Sequence, residues 1–320
     1  MADAETDRVG ERPACSKVSE SLAEPLAGTA ASAKTWLCIE QPGPYGPDAL
    51  VESHFDRKIG AELARRAAGS GVRIQLIRRP GRHADDHSSL GERQIFVAHT
   101  RPGRTWLVAG RIADPSQLLS FDFGALGAGV VPSFGRPDPR TLLLVCTNGR
   151  RDVCCALRGR PIAQQLARRF GDQVWETTHT GGHRFAPTAV LLPVGYLYGR
   201  LDPPFAERLL TEAAAGRMVP QRCRGRSTWS PAGQVAELAV RDVMGECGVD
   251  AVVVDEEEYD EPAWRVRVSL NGHARPDVRG SWWVDGRVET LQPERRTSCA
   301  KAPVVPTANV ATSVARCDMS

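Results

Sequence analysis

At 320 residues, 42% of them hydrophobic and 25% charged, the chain is long enough to bury a sizeable core and to divide into about two domains. Its 41 Lys plus Arg against 38 Asp plus Glu leave a formal charge of +3, too near balance to mark a nucleic-acid or polyanion binder. No apolar run approaches the roughly 20 residues that cross a bilayer, and residues 1–10 are charged where a secretory leader needs an apolar stretch. The expectation is a cytoplasmic protein that binds neither nucleic acid nor membrane. Nine cysteines in such a chain read as reduced thiols or metal ligands, not as a disulfide framework.

Residues 1–34 are rich in Ala, Ser and Glu without a sustained apolar period and read as a flexible arm. Strand patterns follow at 35–39 and 72–77 with a helical pattern at 57–68 between them, then two further strands at 94–98 and 105–110 and a short helix at 115–119. The same order recurs. A compact apolar strand at 141–145 precedes a helix at 161–170 that starts on Pro161 and a strand at 173–177. A hairpin at 188–193 and 196–201, closed by Val194 and Gly195, leads to a helix at 204–215. The letters echo each other as well: Glu62-Leu63-Ala64-Arg65-Arg66 matches Gln165-Leu166-Ala167-Arg168-Arg169, and Arg79-Pro80-Gly81-Arg82-His83 matches His179-Thr180-Gly181-Gly182-His183.

Two copies of one unit with a right-handed crossover and a closing antiparallel hairpin predict an α/β fold: two thioredoxin-like units in tandem plus a small C-terminal α+β region. The expected divisions are the arm at 1–34, a degenerate unit at 35–133, a second unit at 134–216, the α+β region at 217–292 and an irregular tail at 293–320. In the α+β region a helix at 230–244 precedes strands at 251–255, 263–270 and 280–288.

The residues with chemistry lie in the second unit. The strand at 141–145 runs into Cys146, and Cys155 follows after eight intervening residues, in the loop expected before the helix. The neighbouring parallel strand ends near Thr178, followed by His179 and His183 around two glycines. Loops after parallel neighbours leave the same edge of a sheet, where α/β proteins place ligands, so two thiols and two imidazoles converge. Four such donors suit a tetrahedral zinc ion or a 2Fe-2S cluster. Compact zinc modules hold their cysteines two to four residues apart, so the longer separation here favours the cluster. Glycines at 181 and 182 admit positive φ and close backbone approach, which lets amides face inorganic sulfide.

The run Cys-Thr-Asn-Gly-Arg-Arg-Asp-Val-Cys-Cys at 146–155 with His-Thr-Gly-Gly-His at 179–183 resembles the sucrase/ferredoxin-like family of thioredoxin-like ferredoxins. Glu24-Pro25-Leu26-Ala27-Gly28-Thr29-Ala30 and Glu40-Gln41-Pro42-Gly43-Pro44 add to the likeness, which covers at least residues 15–215. The resemblance implies an electron carrier with a 2Fe-2S centre on Cys146, Cys155, His179 and His183, with Arg151 and Asp152 also matching. Gly181, Gly182 and Arg184 are candidate supporting residues. Cys154 is an alternative to Cys155 as the second thiolate; adjacent side chains point apart, so one of them is a spare thiol.

Two ferric ions and two sulfides sum to +2, so two thiolates neutralise the oxidised centre where four would leave it at −2. A less negative centre accepts an electron more readily, as in Rieske proteins. A metal-bound imidazole can also shed its distal proton, so the expected midpoint potential falls as pH rises. Seven arginines between 146 and 184 (150, 151, 158, 160, 168, 169 and 184) face three acids, an excess of +4 able to steer an acidic redox partner. Arg168 and Arg169 are equally well explained as the solvated face of a helix.

The competing functions are a thioredoxin-fold thiol oxidoreductase with Cys154 or Cys155 as nucleophile, although no Cys-x-x-Cys is present, and a structural zinc protein. Cys38 reads as a core residue, and His83 as a surface histidine because Arg79 replaces a partner histidine. Cys15, Cys299 and Cys317 in flexible ends, Cys223 in a loop and Cys247 near a helix end read as ordinary thiols. Acids 255–260 form an expected solvated turn, with no distant partner carboxylate for glycoside chemistry. Of Trp282 and Trp283, one is expected in the core and the other at a domain contact.

Overall fold

The computed structural model describes residues 13–81, 91–271 and 279–317. Along the chain run α1 (Cys15–Ser21), β1 (Thr35–Glu40), α2 (Ala49–Glu52), α3 (Arg57–Ala67), β2 (Val72–Arg78), β3 (Arg93–His99), β4 (Trp106–Ile112), α4 (Phe123–Ala128) and β5 (Arg136–Pro137). Then come β6 (Leu142–Cys146), α5 (Val153–Phe170), β7 (Val174–Thr177), β8 (Ala189–Leu192), β9 (Tyr196–Tyr198), α6 (Pro203–Ala214), β10 (Cys223–Arg226) and α7 (Pro231–Met244). Strands β11 (Val252–Asp260), β12 (Ala263–Leu270), β13 (Gly280–Thr290) and β14 (Thr307–Arg316) complete the order. No helix among the described residues is long and apolar enough to cross a membrane.

The protein is a mixed α/β structure with two sheets. Ten strands form a mixed sheet in the order β10-β9-β8-β6-β7-β2-β1-β3-β4-β5, and four form an antiparallel sheet, β11-β12-β13-β14. The succession strand, helix, strand, hairpin occurs twice, with β1 parallel to β2 and β6 parallel to β7. The two halves join where β2 meets β7 antiparallel, Ile77 opposite Thr177 and Arg78 opposite Glu176. That seam carries a buried ion pair, Arg78 Nη2 to Glu176 Oε2 at 2.7 Å, with Thr147 Oγ1 donating to the same oxygen at 2.9 Å. Because two desolvated charges gain little net stability, the pair serves mainly to fix the register of the seam.

Side-chain alternation places the core on both faces of the sheet. Leu143, Val145 and Leu191 point to the side covered by α5 and α6, while Leu142, Leu144 and Val190 join Trp36, Cys38 and Trp175 on the other. This is why the strand at 142–146 reads as an unbroken apolar run, the signature of strands buried on both faces. The antiparallel sheet packs instead on α7, through Val235, Ala236, Trp264 and Val266.

Several expectations need correction. The second long helix starts at Val153, not at Pro161, so Cys154 and Cys155 occupy its first turn instead of a loop. Asp152 caps it, its carboxylate accepting the Cys154 N–H at 3.1 Å. Pro161 cannot bond back to the carbonyl of Leu157, which is 71% exposed, yet the helix continues through it to Phe170. The N-terminal arm contains α1, with Cys15, Ser16 and Ser19 buried. The tail carries the ten-residue strand β14, which pairs along β13. Acids 255–260 lie on β11, not in a turn, because Glu256 pairs with Arg267 across the strands at 3.2 Å. Cys223 is buried on β10, not in a loop. Trp282 is buried, as one of the pair was expected to be, but Trp283 stacks under Arg265 at 4.7 Å. His83 lies outside the described residues.

Candidate metal centre

Cys146 is the last residue of β6 and fully buried; Cys155 faces it from the first turn of α5. The helix comes this close because residue 159 is glycine: a Cβ there would stand 2.4 Å from the Cys146 carbonyl oxygen. Cys146 and Cys155 pack together in one buried cluster with Ala186. The Cys155 thiol holds Cys146 well below the usual thiol range and His179 adds to this, while burial opposes it; Cys155 is pushed up in turn, first by Cys146 and then by burial.

The histidines come from the turn after β7. Their rings stack with centroids 3.9 Å apart and planes at 14°, and His183 Nδ1 stands 3.7 Å from Cys155 Sγ. Gly181 N–H donates to His179 Nδ1 at 3.3 Å, leaving Nε2 of that ring unengaged by this bond. The turn needs glycine at 182: φ is +70°, and a Cβ would come 2.4 Å from the Arg224 guanidinium. His183 is lowered to about 4, by burial first and by His179 second, so it is neutral at pH 7 and its nitrogens are open to a metal.

Buried cations support the turn. Arg224 Nη1 donates to the Gly181 carbonyl at 2.9 Å and Arg73 Nη2 to that of His179 at 3.0 Å. Burial lowers Arg224 to about 9, with Arg184 adding to this and the Cys146 thiolate opposing it. Arg73 Nε is buried without a hydrogen-bond partner. Above the half-exposed histidines opens a cleft of about 480 Å³ lined by Arg150, Arg151, Arg184 and Lys301, with no acidic side chain in its wall.

Cys154 belongs to another neighbourhood. Its sulfur lies 3.8 Å from Cys15 Sγ and 3.2 Å from Cys299 Sγ, and Cys299 lies 3.4 Å from Cys15. Asp152 stands beside them with Oδ2 at 3.7 Å from Cys15 Sγ. These four residues could hold a metal ion, since their ligand atoms all lie within 4.8 Å of one another. Asp152 also accepts the Cys299 N–H at 2.9 Å and the Ser298 hydroxyl at 3.0 Å. Burial alone would raise its carboxyl, but these hydrogen bonds and His183 hold it below the usual carboxylate range.

Of the sequence-predicted donors, Cys146 and Cys155 share a buried cluster, His179 and His183 stack, and His183 stands 3.7 Å from Cys155, but among the described residues it is Cys15, Asp152, Cys154 and Cys299, not these four, whose ligand atoms all lie within 4.8 Å of one another. Gly181 and Gly182 lie in the turn, Arg151 and Arg184 in the cleft wall and Asp152 at the helix cap. Glu24 holds Arg184 by an ion pair, and also accepts from Arg295 at 3.0 Å. Sequence reasoning missed Arg73 and Arg224, which no motif marks, gave Glu24 no role beyond its place in the family likeness, and read Cys15 and Cys299 as ordinary thiols. The available signal was the extra thiol at 154, which asked for partners and found no local ones. Arg158 and Arg169 of the basic stretch are engaged with Glu20 at 3.2 Å and Glu207 at 2.6 Å.

The model of one protein family, described as sucrase/ferredoxin-like, matches residues 26–225. That span takes in the whole ten-stranded sheet except the last residue of β10. No curated protein and no solved structure matches the chain.

Proposed function

We propose, from the premise that this chain belongs to the sucrase/ferredoxin-like family, that it is an electron-transfer protein holding a 2Fe-2S centre on Cys146, Cys155, His179 and His183. The two halves of the large sheet are, in this reading, tandem thioredoxin-like units of which the second holds the centre. The observation that carries the proposal is a pair of buried thiols packed in one cluster, with Cys155 beside a stacked, half-exposed pair of imidazoles. The residues present fit such a group: two sulfur donors, two imidazole nitrogen donors, and a turn in which a Cβ at Gly182 would stand 2.4 Å from the Arg224 guanidinium.

When bound, the centre supplies one-electron oxidation and reduction. The chain's own residues set its surroundings. Cys155 holds Cys146 well below the usual thiol range, and burial of both sulfurs keeps them from bulk water. A thiol oxidoreductase needs an accessible thiolate, and the burial of Cys146 and Cys155 counts against that reading. Arg73 and Arg224 bring positive charge beside the sulfurs, which favours the more negative, reduced state. The histidines reach the cleft, so they are the short route between the interior and a partner docked there. The basic wall of that cleft supports an acidic protein as the partner, drawn in by long-range attraction that salt weakens.

The test is anaerobic purification with iron, sulfide and zinc analysis and a visible spectrum. A red-brown protein with about two irons and two sulfides per chain supports the proposal. A colourless protein carrying zinc on these four residues overturns it.

A further inference from the structure

Three sulfurs from sequence positions 15, 154 and 299 form a nearly equilateral triangle with edges of 3.2, 3.4 and 3.8 Å. A tetrahedral ion with metal–sulfur bonds of about 2.3 Å sets its ligand sulfurs about 3.8 Å apart, so the triangle has the size of one face of a single-ion site. A disulfide would draw two of the sulfurs to about 2.05 Å, strand the third and require an oxidant. We propose that Cys15, Cys154 and Cys299, with Asp152 as the fourth donor, form a second metal site that takes one zinc ion and clips both terminal segments to the start of α5.

The donor set selects the metal. Three thiolates exclude magnesium and calcium, and a carboxylate beside them suits borderline Zn²⁺ better than Cu(I), which prefers sulfur throughout. Binding replaces the thiol protons by bonds to the ion and releases them to solvent; no electron moves. Asp152 is fixed by three donors, so its carboxylate is oriented before any ion arrives.

The clip has a place in the molecule. Helix α1 packs on the turn that begins at His183, Arg200 holds the Ser19 carbonyl at 2.9 Å, and Glu24 joins Arg184 to Arg295. Residues Thr297, Ser298 and Lys301, beside Cys299, line the cleft over the histidines. One ion at the triangle thus ties both chain ends over the flank of the site formed by Cys155 and His183. The inference does not depend on what that other site holds.

The experiment uses the full chain, purified anaerobically from zinc-supplemented cells, with zinc and iron measured on the wild type and on Cys15→Ser, Cys154→Ser, Cys299→Ser and Cys155→Ser. One zinc per chain in the wild type is expected, falling more than about tenfold in each of the first three variants while their iron is retained; Cys155→Ser shows the reverse. Adding Co²⁺ to zinc-stripped wild type produces thiolate-to-cobalt absorption that each of the three variants weakens. Should Cys154→Ser fail to fold, Cys15→Ser and Cys299→Ser give the same reading from the terminal segments. Wild-type protein that holds no zinc and takes up no cobalt overturns the proposal, as does a mass short of two hydrogens from a disulfide, or iron that disappears with Cys15 or Cys299. A zinc pattern as expected in a protein without iron leaves this proposal standing and removes the electron-transfer one.

Discussion

Cys154 and Cys155 are adjacent on the first turn of α5, yet they look into different parts of the molecule. Cys155 faces Cys146 and His183, residues drawn from within the second half of the large sheet. Cys154 faces Cys15 and Cys299, residues contributed by the two ends of the chain. A helix turns about 100° per residue, so two successive side chains serve two sites without competing. The sites also differ electrically. Around Cys146 the neighbours are imidazole and guanidinium side chains, whereas around Cys154 they are further thiols and the Asp152 carboxylate.

The sharpest way to break this contrast is Cys146→Ala set against Cys38→Ala, the buried cysteine on the first strand of the N-terminal half. Cys146→Ala lowers iron and sulfide by more than about tenfold, since a thiolate ligand is gone. Cys38→Ala leaves both in place and costs about 1 kcal/mol of stability in denaturant, the price of a small cavity. Equal iron loss in the two variants would show that burial, not ligation, is being measured.

Next in size is Arg224→Met. It strands the carbonyl oxygens of Gly181 and Thr29, which Arg224 now satisfies, at about 2–3 kcal/mol in a denaturant titration. Arg168→Gln, on the exposed side of α5, stays within about 0.5 kcal/mol. His179→Cys sharpens the comparison from the redox side. A thiolate in place of a neutral imidazole lowers the midpoint potential by on the order of 100 mV, read by a spectroelectrochemical titration. The same substitution flattens any fall of potential at alkaline pH, because one ionisable imidazole has been removed.

The smallest effect belongs to His99, on the far side of the seam from both sites. Thr35 Oγ1 donates to the Leu126 carbonyl at 2.7 Å, so His99 Nδ1–H donates to Thr35 at 2.9 Å. Burial lowers its pKa, and Arg101 and Lys34 add to the shift. Below about pH 6.5 the unfolded chain takes up a proton that the folded chain resists, so the stability present above that pH is lost progressively as pH falls toward the folded value. The unfolding midpoint is expected to drop between pH 7.5 and 5.5 in wild type, and to drop less in His99→Asn.

Much of this arrangement is written in the sequence. The unbroken run Leu142 to Val145 announces a strand covered on both faces, and its position before Cys146 places the thiol at a sheet edge. Paired loops after β6 and β7 follow from the parallel crossover, and Gly181 and Gly182 mark the sharp turn between the histidines. The start of α5 was hidden by Pro161, whose usual meaning as a first helical residue was overridden by the Asp152 cap and by solvent access to Leu157. The Cys15 to Cys299 neighbourhood was illegible for a different reason. Its members are 139 and 145 positions from Cys154 and meet only after the terminal segments dock, through contacts such as Glu24 with Arg295 that no local pattern encodes. Half-buried Arg73 and buried Arg224 are similarly silent, because arginine in a sequence reads as surface until the fold encloses it.

The most direct test of the central claim is electron-nuclear spectroscopy of the reduced protein grown with ¹⁵N-labelled histidine. Two imidazole nitrogens coupled to one paramagnetic iron pair, with one coupling lost in His179→Cys, is the result this account predicts. A paramagnetic centre without histidine nitrogen coupling, or one unchanged by replacement of His179, contradicts it.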